Sequence, residues 1–156
     1  MKKENKNIKT FSKNEINLYS KIQSKDTCFK FINKDIAYIN HGALKTKYLS
    51  KIAKEMENTK GLIIDDRNYP SDFVIYDLSN YLMPKALLMS NSLVAKKHQV
   101  FYFWQVYKRW QENKSYYKGK VIILVNEISQ SSAEFHAMAY RVSPKCNRYW
   151  FNNGRR

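Results

Sequence analysis

The chain has 156 residues, 44% of them hydrophobic and 26% charged, which suits one globular domain with a sizeable core and leaves too little for two. No apolar run approaches the roughly 18 residues a membrane-spanning helix needs, so no span is expected. The net charge of +15 raises nucleic acid or an anionic surface as partners, but the lysines are scattered and accompanied by Asn, Ile and Tyr, all with AT-rich codons. The base composition of the gene accounts for such a bias, which bears on solubility and not on fold.

Residues 1–26 are polar and Lys-rich and read as a linker or remnant. Their basic start has no apolar stretch behind it, so no signal peptide is readable and any export address is expected upstream. From Thr27 the chain turns apolar. TCFKFIN and DIAYIN alternate like two short strands split by Asn33-Lys34. LKTKYLSKIAKEMENTKG then carries Leu44, Tyr48, Ile52 and Met56 at four-residue spacing, flanked by Leu49 and Ala53, a helical stripe. Lys60-Gly61 is expected to close that helix, a cation followed by a residue tolerant of positive φ.

Leu62, Ile63 and Ile64 follow at once as a continuous apolar run, the pattern of a strand covered on both faces. Strand, helix and strand with short joints predict a βαβ unit and a parallel pair. After the turn Asn68–Ser71, either Ser71 or Asp72 is placed to cap a helix over FVIYDLSNYLM. In residues 86–119 the aromatic run from Phe101 to Trp110 favours a strand, with a loop at NKSYYKGK. VIILVN (Val121–Asn126) is a second buried strand. SQSSAEFHAMAYRV makes a helix with Phe135, Met138, Ala139 and Val142 on one face.

Metal chemistry finds no support: His41, His98 and His136 share no ligand spacing, and Cys28 and Cys146 lie far apart and read as small buried thiols. No cofactor motif is present. The aromatic run has Lys108 and Arg109 at only one end, which argues for a buried strand over a nucleic-acid surface. His41 reads as a turn residue after a strand and Lys60 as a helix-end cation, although both lie near enough in sequence to be considered as bases.

The informative stretch is LVNEISQSSAEF (Leu124–Phe135). A buried parallel strand ends at Asn126, a polar turn presents Ser129, Ser131 and Ser132, and a helix begins. Ligand sites gather at the carboxyl ends of strands in open α/β sheets. A serine at a helix start has unpartnered N–H groups beside it that can hold a developing oxyanion. The same pattern also describes an N-cap serine, with Glu134 completing a capping box from Ser131.

LVNEISQSSAEF resembles the nucleophile segment of the tail-specific (C-terminal processing) serine peptidases. KGLIIDDRNYPSDF (Lys60–Phe73) is similar to that family's strand-and-turn signature, usually Leu-Asp-Leu-Arg-Asn-x-Pro-Gly-Gly, and DIAYIN (Asp35–Asn40) with the helix after it is similar to its first core strand and helix. The resemblance covers roughly Asp35 to Pro144. It implies a crotonase/ClpP-like α/β core of βαβ units, incomplete at its carboxyl end, and endopeptidase action on polypeptides through an acyl-enzyme. It implies Ser131 as nucleophile, Glu134 as an orienting residue, and the backbone N–H groups of Ser132 and Ser71 as oxyanion donors. Ser71 stands where the family has Gly. The bacterial periplasm or cell envelope is the location implied for an intact relative.

A serine hydroxyl needs a base, and the family ordinarily uses a Lys on a later strand, kept neutral by burial. That segment is expected just after Pro144, where this chain has KCNRYWFNNGRR, unlike the family. Read one base out of frame with suitable codons, the tail gives Asn-Val-Thr-Val-Ile-Gly-Ser-Thr-Thr-Gly-Ala, a strand and Gly-rich turn similar to the family's next element. The sequence thus divides into residues 1–26, a partial peptidase core over 27–144 and an atypical tail over 145–156. It predicts a frameshifted, truncated domain of weak or no activity, against the rival of a genuine unusual carboxyl end, with a catalytically dead peptide-binding relative as the alternative function.

Overall fold

A computed structural model describes residues 27–85, 88–96, 99–107 and 113–150. The polar segment 1–26, Lys108 to Trp110 of the aromatic run, and 151–156 of the tail lie outside the described residues. A five-stranded sheet has the order β1-β2-β3-β6-β7, with β1 at Phe29–Asn33, β2 at Ile36–Asn40, β3 at Gly61–Asp65, β6 at Lys120–Val125 and β7 at Cys146–Trp150. The strands β4 (Leu88–Lys96) and β5 (Gln99–Tyr107) form a separate antiparallel pair. The helices are α1 (Leu49–Met56), α2 (Ile75–Leu82) and α3 (Ser132–Tyr140), with a short 3-10 turn at Thr46–Tyr48 before α1.

The expected hairpin and βαβ unit are present: β1 pairs antiparallel with β2, and β2, β3, β6 and β7 run parallel. The apolar runs of β3 and β6 are not covered equally on both faces. In register across the sheet, Ala37, Leu62 and Val121 form one buried row and Ile39, Ile64 and Ile123 another. Their neighbours Ile63 and Ile122 point to the other face and are half-buried. Leu49, Ile52 and Met56 of α1 and Ile75, Leu78 and Leu82 of α2 complete the core.

Three local expectations are corrected. The helical stripe of α1 begins late because the chain first makes a 3-10 turn, which turns Tyr48 outward at 42% exposed while Leu49 is buried. The helix also ends before Lys60-Gly61: Thr59 donates both its N–H and its hydroxyl to the Met56 carbonyl, at 2.9 and 2.7 Å, and Gly61 already opens β3. Neither Ser71 nor Asp72 caps α2, whose N-cap is Val74. Asp72 instead accepts from the Thr46 N–H at 3.0 Å and from Lys45 Nζ at 2.9 Å, tying the start of the 3-10 turn to the Pro70 loop.

The tail, read as unlike the family, supplies β7 through Cys146–Trp150 and pairs with β6 from Val121↔Cys146 to Val125↔Trp150. Cys28 and Cys146 are not joined in a disulfide, and both are half-buried where fuller burial was expected. Among the described residues no helix is long and apolar enough to cross a membrane.

Candidate active site

Three parallel strands end side by side, and the residue after each is a buried polar one: His41 after β2, Asp66 after β3 and Asn126 after β6. The turn from β6 to α3 is tightly bonded. Asn126 N–H donates to Ser129 Oγ at 3.0 Å, Ser129 N–H returns to the Asn126 carbonyl at 3.1 Å, and Ile128 N–H reaches Asn126 Oδ1 at 3.2 Å. Ser129 Oγ donates in turn to the Asp66 carbonyl at 2.8 Å, so the turn is anchored on the end of β3.

This turn delivers Ser131 to the surface at the N-cap of α3, with φ 54° and ψ −110°. It is the one non-glycine residue with positive φ among the described residues. Such a backbone costs an L-residue on the order of 1–3 kcal/mol and persists only where the surroundings impose it. A serine on a strained strand-to-helix turn is also how hydrolases of a different fold expose a nucleophile. The Glu134 carboxylate accepts from the Ser131 N–H at 2.8 Å, one arm of a capping box. Ser132 is the first helical residue, and its N–H meets no acceptor among the described residues.

Ser131, Ser132 and Glu134 face an open depression whose other walls are Tyr69, Phe73, Phe135 and Met138. The Pro70 turn and the Ser131 turn therefore meet at one site. Phe73 is 54% exposed, and its ring lies 6.2 Å from that of Phe135 in a stacked arrangement. On α3, Phe135 and Met138 line the depression, Phe135 and, just past the helix, Val142 pack against the edge of the core, and Ala133, His136, Ala137, Ala139 and Tyr140 are buried.

Ser71 does not offer a free donor in this conformation. Its N–H is bonded to the His41 carbonyl at 3.1 Å and its hydroxyl to the Leu44 carbonyl. Both bonds tie the loop after Pro70 back to the segment that follows β2.

Sequence reasoning missed a cluster beneath the site. His41 Nδ1 is bonded to Asp66 Oδ1, both side chains being wholly buried. Tyr140 Oη lies 3.2 Å from His41 Nε2, and the His136 ring stands edge-on to His41 with centroids 4.7 Å apart. His136 Nδ1 donates to the Ser132 carbonyl at 2.6 Å, because a carbonyl can only accept. Burial, with the neighbouring His41, pushes the His136 pKa down to about 4, so its ring is neutral near pH 7. The Tyr140 hydroxyl is pushed far up by burial, with the charge of Asp66 adding to it. Any signal in the sequence was slight: two unlike polar residues, each directly after an apolar strand.

The sequence pattern of peptidase family S41 matches residues 35–145. Among solved structures, the chain is similar to a candidate peptidase from Parabacteroides merdae, with TM-score 0.62 and 19% identity over 77% of this chain and 41% of that one. It also matches a lipoprotein from Streptococcus agalactiae (TM-score 0.47, 18% identity, 81% and 49% covered) and a photosystem II D1 C-terminal processing protease (TM-score 0.47, 14% identity, 72% and 29% covered). The chain thus spans less than half the length of each of these structures. No curated protein is significantly similar to it.

Proposed function

The chain belongs to peptidase family S41, and from that membership we propose that it carries the nucleophile side of a serine-type endopeptidase site acting on polypeptides. The observation that carries the reading is Ser131, exposed and strained at the head of α3. In the proposed reaction Ser131 Oγ attacks a peptide carbonyl, and its proton passes to a base. The resulting oxyanion lies against the Ser132 N–H. Collapse releases the amine and leaves an acyl-enzyme that water hydrolyses. Glu134 orients the turn through the Ser131 N–H, and Tyr69, Phe73, Phe135 and Met138 offer apolar surface to the substrate chain. Ser71 would serve as second donor only after the loop releases its amide from His41.

The base is the weak part of the machinery. Among the described residues no Lys or His is bonded to Ser131 Oγ: His41 is engaged by Asp66 and Tyr140, and His136 donates to Ser132. Lys145 reaches the Lys118 carbonyl at 3.0 Å, beside the opening residues of β6 and thus at the far end of the sheet from Ser131. A positioned general base is worth about 10²–10⁴ in rate, so hydrolysis by this chain should be slow by that factor. This favours, as second reading, a relative that binds peptide without cutting it. Incubation of the full chain with an unfolded polypeptide, with new amino termini read by mass spectrometry, decides the matter. Cleavage that disappears in Ser131→Ala supports the peptidase. Binding with no cleavage by either protein supports the second reading.

A further inference from the structure

The buried His41–Asp66 pair takes no part in the proposed chemistry, yet it touches every segment that builds the site. His41 accepts the Ser71 N–H on its backbone carbonyl, at 3.1 Å, and so holds the Pro70 turn. Asp66 accepts Ser129 Oγ on its own carbonyl, at 2.8 Å, and so holds the turn that presents Ser131. The two side chains are bonded to each other, and His41 Nε2 meets Tyr140 Oη at 3.2 Å, on the helix that Ser131 caps. Asp66 N–H adds a bond to the Leu124 carbonyl of β6 at 2.9 Å.

We propose that His41 and Asp66 are positioning residues that lock the Pro70 turn, the Ser129–Ser131 turn and α3 into one geometry; the inference rests on the reading of Ser131 as nucleophile. Chemistry gives the pair a reason to be where it is. A carboxylate and an imidazole with no solvent exposure are costly to bury, and a core of this kind gains nothing in stability from them over apolar residues of similar volume. What a directional bond adds is a fixed angle between the backbones that carry it. Here those backbones, at the ends of β2 and β3, accept bonds from Ser71 and Ser129 in the two turns of the site. Asp66 Oδ2 and His136 Nε2 are buried without partners, so the cluster is not arranged for best satisfaction of its own polar atoms.

The test compares the full chain with the double variant His41→Leu/Asp66→Leu, which removes both bonded partners together, and with His41→Gln, which keeps a side chain able to donate toward Asp66. Two quantities are read: amide hydrogen exchange at Ser71 and Asn126, whose N–H groups report the two turns, and the rate of Ser131 labelling by a fluorophosphonate, split into binding and inactivation steps. In the double variant the melting transition should stay cooperative, exchange at both amides should quicken at least tenfold, and the inactivation step should slow about tenfold with probe binding unchanged. His41→Gln should recover part of both losses. Unchanged exchange at either amide, or an unchanged inactivation step beside wild-type binding, overturns the proposal. If the unaltered chain takes no label, the nucleophile reading fails, and the exchange measurement alone then decides whether the pair locks the two turns.

Discussion

Replacing Ser131 by Ala and by Gly separates the strain at this residue from its chemistry. At φ 54° and ψ −110° the clash is between Cβ and the backbone, so Ala keeps it and Gly removes it. Relief of about 1–3 kcal/mol is offset by roughly 0.4–1 kcal/mol for the greater freedom of Gly in the unfolded chain. Losing the cap adds to the difference, since Ala at an N-cap costs about 1 kcal/mol and Gly a few tenths. Ser131→Gly should therefore be more stable than Ser131→Ala by about 1–2 kcal/mol, or roughly 2–8 °C in melting temperature for a chain of this size. Urea unfolding of the two variants, followed by circular dichroism, measures it. Equal stability, or a more stable Ala variant, would refute the claim that the fold forces this serine into a costly conformation.

Further predictions concern the residues around the site. His41→Leu alone leaves the Asp66 carboxylate buried without its partner and should cost about 3–5 kcal/mol, most of it restored when Asp66→Leu is added; urea midpoints of the single and double variants test this. His136 has a folded pKa of about 4 against an ordinary 6.5, so the unfolded chain binds more protons between those values and stability rises with pH across that window. His136→Asn should flatten the rise, read as urea midpoints from pH 4 to 7. Burial works to raise the Asp65 pKa, but the Arg67 guanidinium and the Tyr38 hydroxyl outweigh it and hold the carboxyl below its ordinary 3.8. Its contribution is present above that value and fades as pH falls through the lower folded one, so Asp65→Asn should be less stable near neutral pH and lose less on acidification. At Gly119 an added Cβ would stand 2.3 Å from Tyr117 Oη and 2.8 Å from the Lys60 carbonyl, so Gly119→Ala should destabilise by about 1–3 kcal/mol in the same assay.

Four of the five strands of the sheet were legible because their cues are local, whereas β7 lay in the segment set apart as an atypical tail. TCFKFIN and DIAYIN are separated by a two-residue turn, and Leu62–Ile64 and Val121–Ile123 are apolar runs bounded by polar turns. The serine turn was legible for the same reason, all its parts lying between Asn126 and Glu134. What escaped depends on partners distant in sequence. Asp72 looks like a helix cap until Thr46, 26 residues away, takes its carboxylate. His41 looks like a turn residue until Asp66 and Tyr140 close on both its nitrogens across 25 and 99 residues. Ser71 looked like a free amide because nothing nearby shows that the His41 carbonyl would claim it.

The most direct test of the Ser131 reading is peptide mapping of the full chain after treatment with a fluorophosphonate. The account predicts a single covalent adduct on the peptide containing Ser131, absent after denaturation and absent from Ser131→Ala. No adduct, or one carried by Ser129 or Ser132 instead, would contradict it.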